Sequence, residues 1–150
     1  MGRMVFRSVS AMVFAGGAWA SSAFASDQRT NIYGNLTIWY AAHSDSFPVD
    51  AARDALNEAL APYVTIDLKT LDIMQVKSEY IESFDSWRDV IEGGIVAHRI
   101  DTVKDLTADV RVCYVFEENS SLVKEVFTFS DDMQIESLTS EELARECEAF

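Results

Sequence analysis

The chain has 150 residues, 49% of them hydrophobic, and its 12 lysine and arginine residues against 25 acidic residues give a formal net charge of -13. This length is typical of one domain, and the composition is too apolar for a disordered acidic tail. The charge also argues against nucleic acid or an anionic membrane surface as a partner, because both would repel the protein.

Residues 1–25 have the pattern of a cleaved secretory signal. Arg3 and Arg7 are the only charged residues before an apolar, alanine-rich stretch, which ends in Ala-Phe-Ala ahead of Ser26. A transmembrane anchor would need about 20 continuous strongly apolar residues, and serine, glycine and alanine dilute this stretch. We therefore predict a secreted or periplasmic protein whose single domain is 26–150, with no membrane attachment once the signal is removed.

The first half of the mature chain has helical periodicity. Apolar residues at spacings of three and four predict a first helix from about Thr30 to His43. Pro48 suits the first turn of a second helix, and Pro62 is expected to end it.

A strand and a third helix are predicted next. The alternation in residues 64–68 is typical of a half-buried strand. An apolar stripe from Tyr80 to Ile91 predicts the third helix, for which Gly93 and Gly94 supply the C-terminal exit.

The second half of the chain changes to the two-residue period of strands. Because the connections are short, neighbouring strands should be antiparallel. Thr139 and Glu142 have the spacing of a capping box, which predicts a short C-terminal helix. The fold class is therefore α+β. The four predicted strands are Ile95–Val103, Ala108–Phe116, Leu122–Phe129 and Met133–Leu138.

The two cysteines, Cys113 and Cys147, both lie in the mature chain. An even pair in an oxidising compartment usually forms a disulfide, although two separate buried thiols are the alternative. A bridge would tie the C-terminal segment to the middle of the fold, and closing a loop of this span stabilises by roughly 3 to 4 kcal/mol.

The order helix, helix, strand, helix and four strands resembles the cone-shaped, cystatin-like fold of nuclear transport factor two-like and SnoaL-like proteins. Residues 59–67 resemble the turn of that family from second helix into first strand, and residues 125–132 resemble its late hairpin. The resemblance covers about 30–138 and implies three N-terminal helices packed on a strongly curved, mostly antiparallel sheet. A ferredoxin-like βαβ arrangement, with Leu36 to Ala42 as a strand, is the alternative.

In proteins of this fold, function lies in the pocket between helices and sheet. His98 shares a strand face with Val96 and Ile100, and an apolar environment can tune a histidine for general acid–base chemistry. The scytalone dehydratase branch, which the chain resembles more weakly, has a histidine on this strand and an aspartate after the first helix. His98 and Asp45 occupy those places, and the resemblance makes them the candidate catalytic pair.

The chain also departs from that branch. The branch has a second histidine on the next strand, where residues 111–113 include none, and a tyrosine where this chain has Leu68. The catalytic set is therefore incomplete. A core or rim position for His98 and a turn or helix-cap position for Asp45 are the alternatives.

Several aromatic side chains could line an apolar pocket, although their helical spacing is also typical of a core. His43 is explained by the helix dipole at the end of the first helix. We predict no metal site, because histidine, cysteine and acidic residues do not cluster at ligand spacing, and no cofactor. The candidate pocket residues are Trp39, Tyr40, Tyr63, Tyr80 and Trp87.

Two classes of function are consistent with these patterns. The first is an exported binding or accessory protein that holds a small apolar ligand. Because Leu122–Phe129 is apolar on both faces, the sheet could also form a homodimer. The second is a small lyase, isomerase or hydrolase that uses His98 with a carboxylate such as Asp45. The incomplete catalytic set favours the first class.

Overall fold

The structure, a computed structural model, describes residues 18–117, 119–148 and 150, with side chains from residue 27 onward. Most of the predicted signal therefore lies outside the described residues, and its cleavage stays a prediction. In chain order the elements are α1 (Ala18–His43), α2 (Val49–Ala59), β1 (Leu60–Leu68), a short 3-10 turn (Lys69–Leu71), β2 (Ile73–Val76), α3 (Lys77–Ile91), β3 (Ile95–Lys104), β4 (Thr107–Phe116), β5 (Asn119–Phe129) and β6 (Ile135–Ala144).

The strands form one curved, open sheet in the order β2-β1-β6-β5-β4-β3. Every neighbouring pair is antiparallel except β1 and β6, which are parallel. The three helices cover the concave face, so the predicted α+β class and the cone arrangement are confirmed. The ferredoxin-like alternative is wrong, because residues 36–42 are helical.

The core lies between α1 and the concave face of the sheet. Ile32, Leu36, Trp39 and Tyr40 recur at helical spacing on α1, and all four are buried. α1 begins at Ala18, well before the predicted Thr30, because residues 18–29 contain neither proline nor glycine to end it. Among the residues with described side chains, burial begins only at Ile32, so residues 27–31 are not part of the core.

The transition from α2 into β1 differs from the prediction. The helix ends at Ala59, and Pro62 lies inside β1 instead of ending the helix. The register between β1 and β6 shifts between Leu60 and Thr65. Proline has no backbone N–H to donate, and such an irregularity in the ladder accommodates it.

The sequence pattern did not predict β2, a short edge strand that pairs with the end of β1. Its residues are exposed or half-buried and lack a clear alternation. Asp72, with φ of 53°, makes the reversal that leads into it. α3 starts directly afterwards at Lys77, three residues before the predicted apolar stripe.

The predicted C-terminal helix is wrong. β6 continues through Thr139 to Ala144, where Glu142 pairs with Val123 of β5. The Glu142 backbone N–H donates to Thr70 Oγ1, so long-range partners satisfy the backbone groups that a local helix would have used. The predicted Cys113–Cys147 disulfide is present, with Cα atoms 5.8 Å apart, and joins the segment after β6 to β4.

The convex face of the sheet is more polar than predicted. Arg111 on β4 forms an ion pair with Asp101 on β3, and Lys124 on β5 lies 4.0 Å from Asp109. Homodimer formation through this face stays a prediction. Within the described part of the chain, no helix is long and apolar enough to span a membrane.

Candidate functional site

The site is built around Glu125, an acidic residue in the middle of the concave face. On β5, Val123, Glu125, Phe127 and Phe129 alternate toward the helices, and the Glu125 residue is only 5% exposed. Its position follows from the two-residue period of a strand, because Val123 and Phe127, two residues before and after Glu125, face the helices and Glu125 must face the same way.

Three hydroxyl groups donate hydrogen bonds to the Glu125 carboxylate. Tyr40 Oη on α1 lies 2.5 Å from Oε2, and Tyr114 Oη on β4 lies 3.1 Å from Oε1. Ser140 Oγ on β6 is more distant, at 3.5 Å from Oε1. Groups from three separate elements therefore fix the carboxylate in place.

Burial has the largest effect on the pKa values of the side chains in this cluster. It raises the pKa of Glu125, even though the hydrogen bonds from Tyr40, Tyr114 and Ser140 lower it. Burial and the nearby Glu125 charge raise the pKa of both Tyr40 and Tyr114 well above 10.0. The phenols therefore keep their protons and act as donors.

A second polar pair joins the end of α1 to α3. His43 Nδ1 lies 2.8 Å from the Trp39 carbonyl oxygen, and Nε2 lies 2.6 Å from Tyr80 Oη. A carbonyl oxygen can only accept, so we assign the ring proton to Nδ1. Burial lowers the pKa of His43 from 6.5 to about 4, so the ring is neutral and Nε2 accepts a hydrogen bond from the Tyr80 hydroxyl.

A cavity of about 390 Å³ opens beside these two clusters. It lies between α3, the Lys69–Leu71 turn and strands β4, β5 and β6, and most of its wall is apolar or aromatic. Lysine and arginine are absent from its described lining. The lining residues are His43, Leu68, Thr70, Leu71, Gln75, Tyr80, Ser83, Phe84, Trp87, Tyr114, Phe116, Ser121, Val123, Glu125, Ser140 and Glu142.

The structure brings two of the five predicted pocket aromatics to the cavity, namely Tyr80 and Trp87. Trp39 and Tyr40 are fully buried behind it, where they form part of the core. Tyr63 is 66% exposed on β1 and donates to Glu136, away from the cavity.

The predicted catalytic pair lies elsewhere. The His98 ring is half-buried and stacks on the Tyr40 ring at a centroid distance of 4.3 Å, and burial lowers its pKa. Asp45 is exposed and accepts from Arg88 at 3.4 Å. Neither residue lines the cavity, and no hydrogen bond or ion pair between the two is found within the described residues. A catalytic role for either stays a prediction.

Sequence reasoning missed Glu125, and it favoured the helix dipole over a ligand or catalytic role as the explanation of His43. The signal for Glu125 was present, since it is an acid on a strand face otherwise occupied by Val123, Phe127 and Phe129. Its partner Tyr40 could not be identified, because it is 85 residues distant along the chain.

The described residues include no group of three or more histidine, cysteine or acidic side chains placed to hold a metal ion. The polar groups at the inner end of the cavity are instead one carboxylate, one neutral imidazole and several hydroxyls. Such a set can bind a polar group of a ligand and can exchange protons with it.

No protein-family profile and no curated protein matches this sequence. Solved structures match by fold. An NTF-2-like protein from Burkholderia xenovorans has a TM-score of 0.61 at 11% identity, covering 77% of this chain and 84% of its own. A proposed isomerase of the SnoaL-like family from Agrobacterium tumefaciens has a TM-score of 0.62 at 10% identity, and the match covers 77% of this chain and 99% of that one. A proposed polyketide cyclase from Sinorhizobium meliloti has a TM-score of 0.57 at 19% identity, and the match covers 72% of this chain and 94% of that one.

These likenesses confirm the fold that the element order predicted. The chain has the cone-shaped fold of NTF-2-like and SnoaL-like proteins, and at this identity the likeness extends to the fold alone.

Proposed function

We propose that this protein is exported and binds a small, predominantly apolar molecule in its cone cavity. The observation that carries the proposal is the combination of an aromatic wall with one buried carboxylate, Glu125, at the inner end. Ligand sites of folded proteins have this composition, because apolar walls supply affinity while a few polar groups fix orientation.

The size of the cavity fits this function. Its 390 Å³ lies within the range of about 300 to 1,000 Å³ that is usual for small-molecule sites. Trp87 and Phe84 on α3 form one side, and Tyr114 and Phe116 on β4 form another. A flat ring system packed against these side chains would bury much of its surface.

Two features support export. The Cys113–Cys147 disulfide is typical of oxidising compartments. The arginine-containing, alanine-rich segment 1–25 has the composition of a secretory signal. N-terminal sequencing of the exported protein should give Ser26 as the first residue.

Ligand binding can be tested with 2-naphthylmethanol, a neutral aromatic probe, by isothermal titration calorimetry. Ser121 lines the cavity, whereas its neighbour Ser120 on the same strand donates to the Arg145 carbonyl on the other side of the sheet. We expect Ser121→Phe to abolish binding because the new ring fills the cavity, while Ser120→Phe binds as the wild type does. Equal binding by both variants would place the probe elsewhere.

A proton-transfer enzyme is the second candidate function. The raised pKa of Glu125, caused by burial, is the observation that favours it, since a carboxyl tuned toward neutral pH is suited to general acid–base catalysis. Two of the similar structures belong to a proposed isomerase and a proposed cyclase. In this case Glu125→Gln should abolish turnover in a screen of isomerase and lyase substrates.

The catalytic pair suggested by the sequence, His98 with Asp45, belongs to the same class of proposal. If it were correct, His98→Ala would abolish turnover and Glu125→Gln would not. The two variants therefore separate the two possible sites within one activity screen.

A further inference from the structure

The polar atoms at the inner end of the cavity are acceptors. The Tyr114 hydroxyl donates its hydrogen bond to Glu125, and the Tyr80 hydroxyl donates to His43. Both phenol oxygens therefore present lone pairs to the cavity, as does the Glu125 carboxylate. A ligand that reaches this end must supply hydrogen-bond donors.

The charged residues that line the cavity are acidic. Glu125 lies at the inner end and Glu142 at the rim, and the described lining residues include neither lysine nor arginine. His43 adds no positive charge, because burial lowers its pKa to about 4. The nearby Arg88 guanidinium is directed to the carbonyl oxygens of Ser44 and Phe47 instead.

The walls of the cavity suit a cation as well. Trp87 and Tyr114 meet edge to face with ring centroids 5.1 Å apart, and Phe84 and Phe116 extend the aromatic surface. Aromatic faces attract ammonium groups through the ring quadrupole, and the attraction is stronger where water is excluded. A carboxylate among aromatic rings is thus a suitable environment for an organic cation.

We propose that the ligand of this cavity is a lipophilic amine, whose ammonium group donates to Glu125 and to the Tyr80 and Tyr114 oxygens while its apolar body packs on the aromatic wall. This inference rests on the proposed binding function and names its ligand class. The ammonium supplies the donors that the inner end of the cavity lacks and compensates the buried negative charge.

The other ligand classes fit less well. A carboxylate or phosphate would be repelled by Glu125 and Glu142 and would find no cation in the described lining. A ketone or ester offers only acceptor oxygens, which would face the lone pairs of Tyr80 and Tyr114. An alcohol has one donor, whereas an ammonium has up to three.

The site also couples binding to pH. Glu125 accepts from Tyr40 of α1, Tyr114 of β4 and Ser140 of β6, and it shares the cavity lining with His43 of α1, Tyr80 of α3 and Glu142 of β6. None of these groups is a cation near neutral pH. Since burial raises the pKa of Glu125, the empty site retains a proton over part of the pH range, and an arriving ammonium displaces it. Amine affinity should therefore rise with pH until Glu125 is fully ionised.

The experiment compares three naphthalene probes of one shape at pH 8 by calorimetry: 2-naphthylmethylammonium, 2-naphthylmethanol and 2-naphthoate. We expect the ammonium to bind roughly tenfold more tightly than the alcohol, and the carboxylate to bind most weakly. Glu125→Gln should bring the ratio of ammonium to alcohol affinity close to one. Glu141→Gln, an equal charge change at an exposed position of β6 outside the cavity, should leave the ratio unchanged.

The wild-type protein alone supplies a second measurement, which does not depend on the folding of a variant. Between pH 5 and pH 8 the ammonium affinity should rise while the alcohol affinity stays constant. Alcohol binding equal to or tighter than ammonium binding would overturn the amine assignment and leave the proposed function intact. Failure of all three probes to bind would overturn both.

Discussion

Among the residues whose side chains the structure describes, two charged ones are buried, Arg88 and Glu125, and they differ in what surrounds them. Arg88 is 8% exposed and donates to the carbonyl oxygens of Ala42, Ser44 and Phe47 at 2.6–3.2 Å. Glu125 is 5% exposed, but one side of its carboxylate faces a cavity. Burial alone therefore does not make a charged residue a candidate for ligand binding, whereas Glu125 also has open space beside it.

The Arg88 region explains why α1 ends where it does. The last carbonyl groups of a helix have no partner within it and carry partial negative charge, which a cation satisfies. Arg88 reaches from α3 to the end of α1 and to the turn that leads into α2. Trp87 Nε1 donates to the His43 carbonyl oxygen beside it, at 3.0 Å. This junction holds His43 in position for the cavity.

Arg88→Met should have the largest effect on stability. The methionine keeps much of the apolar stem but leaves the three carbonyl oxygens without their donor, one of them buried and two half-buried. We expect the free energy of unfolding to fall by about 4 kcal/mol, measured by urea denaturation.

Arg53→Met is the matched control. Arg53 also forms ion pairs, with Asp50 and Asp85, but it lies at the surface, where such pairs contribute little. Its unfolding midpoint should stay close to that of the wild type. A loss of unfolding free energy in Arg88→Met as small as that in Arg53→Met would show that Arg88 contributes no more than an exposed arginine in a surface ion pair.

The sequence predicted the concave face well, because periodicity reports directly on which side chains share a face. The apolar positions of α1 and the strands β3 to β5 lie close to their predicted places. Periodicity could not identify β2, which is exposed, or the extension of β6, whose pairing with β1 and β5 outweighs a local capping box at Thr139.

The functional region was harder to predict than the fold. Tyr80 and Trp87 were predicted in the pocket and line it. The use of Arg88 as a helix-end cation and the contact of Glu125 with Tyr40 depend on partners 44 and 85 residues distant along the chain. Single-sequence patterns carry no information about such pairs, so the two buried charges could not be told apart before the fold was known.

His43 links the two regions and should give the next largest effect. Its folded pKa is about 4 against 6.5 when exposed, because it is buried, and the Arg88 charge adds to the shift. As the pH falls from about 6.5 to 4, His43 binds a proton in the unfolded chain but stays largely neutral in the folded protein. The wild type should therefore lose about 3 kcal/mol relative to His43→Gln over this window.

Urea denaturation of the wild type and His43→Gln at pH 7 and pH 4 measures this difference. Glutamine retains one donor and one acceptor, so it offers a partner to both Trp39 and Tyr80. A difference that does not change between the two pH values would mean that the fold does not lower the pKa of His43 and that the ring takes up a proton as an exposed histidine does. Below that pKa, His43 Nε2 would donate to Tyr80, and the Tyr80 hydroxyl would no longer present only an acceptor to the cavity.

Glu125→Gln should give the smallest effect on stability, and its sign is opposite to that of His43→Gln. Burial raises the folded pKa of Glu125 above 4.5, so its contribution to stability is complete below that pH and is lost as the pH rises through the folded pKa. Hydrogen bonds from Tyr40 and Tyr114 offset part of this loss. Urea denaturation from pH 4 to pH 8 should therefore show the wild type weakening relative to the variant. If the wild type became more stable relative to the variant instead, the hydrogen bonds of the fold would fully satisfy the Glu125 carboxylate, as the carbonyl oxygens satisfy the guanidinium of Arg88. The cavity would then have no uncompensated buried charge for a ligand to neutralise.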